Sequence, residues 1–595
     1  MDEKLSQFLQ TLASILLLFA FSSSNASPQQ GFPSYMRFSF DAVLFPVEAE
    51  YDYIVVGGGT AGCPLAATLS EGGHRVLILE RGGAPHEFPS LATMDGFLTT
   101  ISSGSSAPDS PAQTFVSEDG VPNARGRVLG GSSAINAGFY SRAHLGFFHG
   151  SRVDPGGLSI EWDMAMVNES YEWVERAVTF RPELRSWQSA VRDGLLEANV
   201  TPYNGFTVHH VAGTKIGAST FDPSGQRHSA ADLLASAVPE NTRVALRANV
   251  DRILLNPIHG GRRRNQHAAI GVIYRDRYGR RHHAMTRPFG EVILCAGALS
   301  SPQLLLLSGI GPRAYLSSWG IPVAVHLPDV AQNMADNPRN GISIIPPGPP
   351  LDHSLIQVVG ITQSNAGDAG PFLEAASNII PFFSTPRLPP FLHPHTTTTP
   401  LYLTVATLIE KAPGPKSFGS LRLASLDSRD NPVVRFNYFS NPDDLAACVS
   451  GTRKVAQVLA GRSMDEFRVP PGWFGNGRER RDFRFIGSEL PENMDDDASV
   501  KDFCRRTVAT IWHYHGGCLV GKVVDQNYKV IGVGSLRVID GSTFSVSPGT
   551  NPQATLMMMG RYMGRKMNEE RRMMERRRNR RRSTSSPPPP VPYHA

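Results

Sequence analysis

The stretch "YIVVGGGTAGCPLAATL" constrains this chain more than any other, because it sets a glycine-spaced turn between an apolar strand and a helix. Tyr53–Val56 reads as a short buried strand, Ala61–Leu69 has helical composition, and Arg75–Leu79 reads as a second apolar strand, which together make a βαβ unit. Gly57, Gly59 and Gly62 stand in G-x-G-x-x-G spacing at the opening of the helix. Glycines there allow a tight turn and close backbone approach, while the free N–H groups and positive dipole end of the helix attract a pyrophosphate. Glu80 closes the second strand, 18 residues beyond Gly62, where an acid can hold ribose hydroxyls. A glycine triplet alone also fits an ordinary structural turn; the strand, helix and acid around it favour a dinucleotide. The spacing does not by itself separate FAD from NAD.

A chain of 595 residues with 41% hydrophobic and 19% charged residues can bury a large core and is long for one domain. The net charge of +5 invites the idea of an acidic partner, but its location matters more than its size. Arg561 to Arg582 alone carry a net charge of +8, so the rest of the chain carries −3. The basic balance therefore belongs to a tail and points to no nucleic-acid partner.

The first residues, "MDEKLSQFLQTLASILLLFAFSSSNAS", hold an apolar stretch from Leu12 to Phe21 and a small-residue cleavage site after Ala26. Residues 1–26 therefore read as a secretory signal peptide, although a buried N-terminal helix would share the composition. Ten apolar residues are too few for a hydrocarbon core of roughly 30 Å, and no later run is longer, so no integral membrane segment is expected in the mature chain. Export implies the extracellular space or cell wall, where cysteines can pair. There are five, Cys63, Cys295, Cys448, Cys504 and Cys518, so at least one stays free in a monomer. Asn168 in "NES" and Asn199 in "NVT" are glycosylation acceptors by pattern.

Along the chain, a short irregular stretch follows the signal segment. Residues from about 146 to 214 read as surface helices of another region, and "NTRVALRANVDRILL" and "GEVILCAGAL" return to strand character. From about 345 to 415 Pro, Phe, Thr and His dominate, which predicts loops, a lid or an unstructured insertion. The C-terminus "RRMMERRRNRRRSTSSPPPPVPYHA" is low in complexity and reads as disordered.

Two further stretches decide the cofactor. "GRVLGGSSAINAGFYSRA" places a glycine pair before two serines, with Asn136 in a helix-forming run. "GALSSPQLLLLSGIG" follows the strand "EVILCA" and predicts a helix with Ser301 as N-cap, Pro302 at its first position and Gly309 as its stop. Both resemble the sequence patterns of the glucose-methanol-choline (GMC) oxidoreductase family, and the similarity runs from about Tyr51 to Gly564. Within it the chain looks most like the plant branch containing HOTHEAD-type proteins and the flavin-containing hydroxynitrile lyases.

The resemblance implies an α/β fold in which a Rossmann-like FAD-binding domain (50–145, 215–320 and 505–565) interleaves with a substrate domain (146–214 and 321–504). The substrate domain would be built on an antiparallel sheet covered by helices, and 566–595 would form the tail. It implies FAD, held by the glycine turn and by Thr60, Ala61, Glu80, Arg81, Val128, Ser132, Asn136, Ala137, Gly138, Phe139 and Val250. It also implies a disulfide between Cys448 and Cys504, which at this loop length would stabilise by roughly 4 kcal/mol; two buried thiols are the alternative.

Oxidising an alcohol with a flavin requires a base for the hydroxyl proton and a group that orients the oxygen. In "IWHYHGGC" the resemblance assigns the base to His513, with Trp512 beside the flavin and His515 in support. H-x-H can also chelate a metal, but a third ligand at Asp525 or Asp540 lacks ligand spacing, so no metal is expected; two structural histidines are a further alternative. In "VIDGSTFSVSPGTNPQATL" the resemblance brings Asp540, Gly541, Asn551, Pro552 and Gln553 to the flavin. The plant lyases carry histidine where this chain has Asn551, and asparagine can orient a hydroxyl but is no base near neutral pH. The expected activity is therefore FAD-dependent oxidation of a small-molecule alcohol. The resemblance suggests long-chain ω-hydroxy fatty acids for cutin or related polymers; at the level of residues, only the Phe- and Pro-rich region Pro371–Pro394, which could line an apolar channel, supports that substrate. A hydroxynitrile lyase with non-redox FAD and a catalytically idle flavoprotein are the alternatives. Oligomeric state and electron acceptor are not encoded in these motifs.

Overall fold

The protein is seen here as a computed structural model, which describes residues 32–44, 50–102, 109–149, 160–257, 267–347, 352–363, 369–382, 401–469 and 483–584. The expected signal segment lies outside them. The described α-helices of seven or more residues are α1 (Gly62–Glu71), α2 (Gly96–Ser102), α3 (Met164–Val178), α4 (Ser186–Glu197), α5 (Gly297–Leu307), α6 (Pro442–Ala460), α7 (Asp497–Thr507) and α8 (Gln553–Thr584).

Two sheets organise them. The first runs, in spatial order, Ser39–Asp41, Thr242–Leu246, Val76–Leu79, Glu50–Val56, Arg281–Leu294, His267–Arg275 and Asn249–Pro257. The first five strands are parallel and the last two turn back antiparallel. Strand Val76–Leu79 is buried throughout and reads as an unbroken apolar run, as a strand covered on both faces must. α1 is likewise buried along its length, with α8 laid across it; Met557, Met558, Met559 and Met563 of α8 are fully buried. Glu50–Val56 and Arg281–Leu294 are neighbours, and each is followed within a few residues by a helix, α1 and α5. Two helix N-termini therefore meet at the carboxyl edge of adjacent parallel strands, where open α/β sheets bind ligands.

The second sheet runs Phe485–Ile486, Pro338–Ile344, Leu401–Lys411, Ala369–Phe382, Val358–Gln363, Gly213–Ile216 and Tyr203–Phe206, antiparallel except for its last pair. Pro338–Ile344 alternates strictly between buried and half-buried residues, the signature of two unlike faces. One face carries Ile342, Leu373, Ala375 and Leu408 into a core with Trp187 and Leu195 of α4 and Val455 and Val458 of α6. Register places Arg339, Phe372, Glu374 and Lys411 together on the other face. A disulfide joins Cys448 of α6 to Cys504 of α7, and Cys63, Cys295 and Cys518 are free and buried.

Several local expectations are corrected. The stretch read as irregular supplies the edge strand Ser39–Asp41. The Pro- and Phe-rich region read as loops or a lid contributes Val358–Gln363, Ala369–Phe382 and Leu401–Lys411 to the second sheet, because paired strands satisfy backbone groups whatever the composition; residues 383–400 lie outside the described set. The segment 146–214 divides, since α3 buries Val167, Tyr171, Val174 and Val178 in the first core, while α4 and the strand Tyr203–Phe206 join the second sheet and its core. The tail read as disordered from 566 is helical to Thr584. Met567 is buried, the Asn568 amide donates to the Thr68 carbonyl at 2.8 Å, and Arg571 pairs with Asp52 at 3.5 Å; from Arg572 to Asn579 the helix is exposed.

Candidate active site

A single continuous cavity, lined by residues from both sheets, begins where the sequence placed the glycine turn. Gly57 has φ +102°, and a Cβ there would stand 2.5 Å from the Cys295 carbonyl oxygen, so only glycine makes this turn. Gly62 does not line the cavity. A Cβ on it would meet the Gly57 carbonyl at 2.0 Å, so its task is to let α1 close on the strand. Gly59, Thr60 and Ala61 line the cavity between them. Glu80 is buried and accepts from the backbone N–H groups of Gly58 at 3.0 Å and Gly82 at 2.8 Å. Each of its oxygens keeps a lone pair for a hydroxyl group. Burial nonetheless pushes its carboxyl above the usual range.

Arg81 lines the same wall and donates to Gln113 and to the Gly126 carbonyl; burial lowers it to about 10. Beside it stands Arg125, which sequence reasoning missed. Its Nη1 donates to Ser300 Oγ at 2.7 Å, while Nε and Nη2 are buried without a partner. Burial and the Arg81 charge hold it well below its ordinary value. A buried, half-satisfied guanidinium on a cavity wall calls for an anion. Two helix N-termini, a ribose-type acid and this cation fit an FAD diphosphate and ribose, and Ser132, Ala137, Gly138, Phe139 and Val250 continue the lining. Val128 does not line it; it is buried in a small cluster with Leu91, Ala112, Ala134 and Ile135.

Asn136 lies past a short 3-10 turn at Gly131–Ala134, not in a helix. Its Nδ2 donates to Gln553 Oε1 at 2.8 Å, and Gln553 Nε2 donates to the Phe139 carbonyl at 2.6 Å, so the first third of the chain is tied to its last helix at the cavity. Ser301 is not the N-cap of α5. The helix begins at Gly297, directly after the strand, and Ser301 Oγ instead donates to Asp540 Oδ2 at 2.5 Å. Asp540 also accepts from the Gly297 N–H at 2.9 Å, which replaces a side-chain cap from within the helix. Gly309, at φ +80°, follows the last turn, where the sequence set the stop.

At the far end His513, Asn551, Trp512 and Pro552 line the cavity with Glu374 of the second sheet. Trp512 has φ +59°, a conformation that costs a bulky residue roughly 1–3 kcal/mol. Asp336 holds it there. Its carboxylate accepts from the His513 N–H at 3.0 Å, Thr510 Oγ1 at 2.7 Å and the Tyr438 hydroxyl at 2.5 Å, and Thr510 in turn accepts from the Trp512 N–H at 2.7 Å. Burial raises Asp336 to about 6. Burial also holds His513 well below the ordinary histidine value, with Lys411, His515 and Arg339 adding to the effect. Each of these effects favours the uncharged imidazole. His513 Nδ1, Trp512 Nε1 and Asn551 Oδ1 are buried without partners. Phe97 and Ile101 of α2, Ile356 and Leu556 supply apolar walls.

The two histidines of "HYH" part company. His513 lines the cavity; His515 does not, and its Nδ1 lies 3.0 Å from the His513 carbonyl. Asp525 is taken up by a turn, accepting from the N–H groups of Asn527 and Lys529. Among the described residues no three His, Cys, Asp or Glu side chains converge as a metal site would require. Asn168 is exposed on α3, with Oδ1 3.4 Å from Arg142, and Asn199 is exposed in a left-handed turn after α4. No helix among the described residues is long and apolar enough to cross a membrane.

Comparison with known proteins gives this geometry its relatives. The GMC oxidoreductase family matches residues 51–339 and 415–560. A protein of Arabidopsis thaliana described as (R)-mandelonitrile lyase-like is 59% identical over 94% of this chain and 97% of its own. Protein HOTHEAD of Arabidopsis thaliana is 45% identical over 88% and 89%, and sinalpyl alcohol oxidase of Nesocodon mauritianus is 44% identical over 90% and 92%. Among solved structures, pyridoxine 4-oxidase from Mesorbium loti superposes with a TM-score of 0.69 at 22% identity, covering 87% of this chain and 98% of its own, which speaks for the fold.

Proposed function

The chain belongs to the GMC oxidoreductase family and is an FAD-dependent enzyme, and from that premise we propose that it oxidises a primary alcohol bearing a large apolar substituent, with His513 as base and Asn551 as the group that orients the alcohol oxygen. One observation carries this reading: a buried imidazole, His513, and an amide, Asn551, line the same end of a cavity whose other end suits the nucleotide.

FAD bound there supplies the acceptor for a hydride from the alcohol carbon. His513 takes the hydroxyl proton, a task for which its imidazole must arrive uncharged. Burial, with the Lys411 and Arg339 charges added, favours that form. Asn551 can donate to or accept from the alcohol oxygen but takes no proton itself. Phe97, Ile101, Ile356 and Leu556 exclude water from the reacting atoms and favour an apolar substituent. Long-chain ω-hydroxy alcohols and aromatic alcohols of the kind named for the Nesocodon mauritianus enzyme both answer to that description.

The name of the 59% identical relative favours a second reading, cyanohydrin cleavage with FAD in a structural role. Asn551 argues against it, because the plant lyases carry a second imidazole at that place and this chain has an amide. The disulfide between α6 and α7 suits an oxidising compartment and supports the proposal that residues 1–26 direct export to the extracellular space or cell wall. The deciding experiment adds ω-hydroxy acids, aromatic alcohols and mandelonitrile anaerobically to the purified flavoprotein. Bleaching of the flavin by an alcohol supports oxidation; benzaldehyde release from mandelonitrile, with no alcohol bleaching the flavin, would replace it with the lyase reading.

A further inference from the structure

Asn551 reaches the cavity from a segment that rests on two histidines, neither of which lines the cavity itself. The backbone N–H of His144 donates to the Pro548 carbonyl at 2.9 Å. Gly549 follows at φ +83°, and a Cβ there would stand 3.2 Å from His144 Cβ and 3.6 Å from Cε1 and Nε2 of His210. The two imidazoles meet edge to face at 5.5 Å, and the His210 ring stacks on Phe372 of the second sheet, 6.1 Å away with 16° between the planes. Phe372 is fixed in turn by the Lys411 ammonium, 4.1 Å from its centroid. Close-packed rings leave the segment before Asn551 little room to shift.

A buried ammonium brings His210 to this position. Lys215 lies on the strand Gly213–Ile216, in one row with Val359 and Glu374, and so on the face of the second sheet that carries Phe372. It is 0% exposed, and its three N–H groups meet three acceptors: Ser141 Oγ at 2.8 Å, the Thr207 carbonyl at 3.3 Å and the His209 carbonyl at 2.5 Å. The Val208 carbonyl between them accepts from the Arg142 N–H at 2.7 Å. Three consecutive carbonyls are thus turned inward, and the residue that follows them is His210. An apolar side chain could fill the same space but could not draw carbonyls toward it, and it would leave those of Thr207 and His209 without this donor.

We propose that Lys215 is a positioning residue for the reaction: it pins the bend at 207–210 and, through His210 and Gly549, sets where Asn551 presents its amide. The inference rests on the reading of Asn551 as the group that orients the alcohol oxygen. Lys215 touches no reacting atom and moves no proton in this role. Burial lowers His210 to about 3, with Lys215, His144 and Lys411 adding to the effect, which favours the uncharged ring that stacks on Phe372.

The test combines Lys215→Met, which keeps the bulk and removes the donors, with Asn551→Ala, singly and together, in the full-length flavoprotein. Lys215→Met alone should slow anaerobic flavin bleaching by an alcohol about 10²-fold per bound flavin, the size of a misplaced orienting group. In the Asn551→Ala background the same substitution should cost less than about threefold, because its route to the substrate is already gone. An additive loss in the double variant would overturn the proposal, as would an unchanged rate in Lys215→Met. Flavin absorbance and Tm report folding. If Lys215→Met does not fold, His210→Ala decides the matter: it leaves the ammonium and its acceptors in place, and it should show the same loss and the same coupling to Asn551, while an unchanged rate or an additive loss sinks the inference. Hydrogen exchange gives an answer independent of turnover: the amides of Gly549, Thr550 and Asn551 should exchange about tenfold faster in Lys215→Met, or in His210→Ala, and unchanged exchange there counts against the proposal. Should no alcohol bleach the flavin, the oxidation reading falls, while the exchange still decides whether Lys215 holds the segment.

Discussion

The two ends of the cavity are built on different plans. The nucleotide end has a local centre: Gly57, Gly59, Thr60, Ala61 and Glu80 fall within one βαβ unit, to which Arg125 and the N-terminus of α5 are added from further along the chain. The end proposed to react is assembled from afar, with Asp336 and Glu374 on or beside the second sheet, His513 on a loop after Ala509–Thr510, and Asn551 before α8. The first can be damaged by one backbone atom, while the second is damaged by losing one side-chain partner. Variants should separate the two.

The largest effect is expected at the glycine turn. Gly57→Ala places a Cβ against the Cys295 carbonyl at a φ hostile to alanine, and the protein should fail to retain FAD, read as loss of flavin absorbance after desalting. His513→Ala should lower turnover by roughly 10² to 10⁴ while the flavin spectrum survives, which would show the two ends to be separable. If the flavin is lost as well, the division between them is wrong. Asp336→Ala strips three donors of their acceptor and releases Trp512 from its left-handed turn; a stability loss of about 1–3 kcal/mol is expected by denaturant titration, with turnover falling and flavin content intact. A smaller effect concerns pH. His513 is held well below 6.5, so it stays neutral where an exposed histidine becomes charged, and kcat/KM should show no decline as pH falls through 6.5. A tenfold fall per pH unit from that point would return the base role to an ordinary, solvated histidine. Removing residues 576–595 should change stability least, within about 0.5 kcal/mol, because the helix is exposed from Arg572 to Asn579; a larger change would show that the tail braces the first sheet.

That same contrast explains what could be read from the residues alone. The βαβ unit was legible because glycine spacing and apolar runs act on their own neighbours. Ser301 was misread because its hydroxyl answers to Asp540, 239 positions away, and not to its own helix. The strands at 369–382 and 401–411 were hidden because proline and threonine obscured the pattern and Pro338–Ile344, a partner of 401–411, lies far away, although 369–382 also pairs with its close neighbour Val358–Gln363. The basic tail looked disordered because eight arginines mask the few contacts at Met567, Asn568 and Arg571 that anchor its beginning. Arg125, Asp336, Glu374 and Lys411 left no signal at all, since an isolated charged residue discloses its burial only once the fold surrounds it. His513 and Asn551 were reached through the family resemblance and not through any periodicity.

The packing of α8 across α1 has a consequence for biosynthesis. α1 leaves the ribosome early, with the glycine turn already formed behind it, but the buried methionines that cover it arrive almost five hundred residues later. Until then the nascent nucleotide fold presents an apolar flank to its surroundings, and the Asn136–Gln553 clasp cannot close. Apolar surface on α1 that is covered only once the last helix has emerged is the kind of exposed patch that chaperones shield during synthesis.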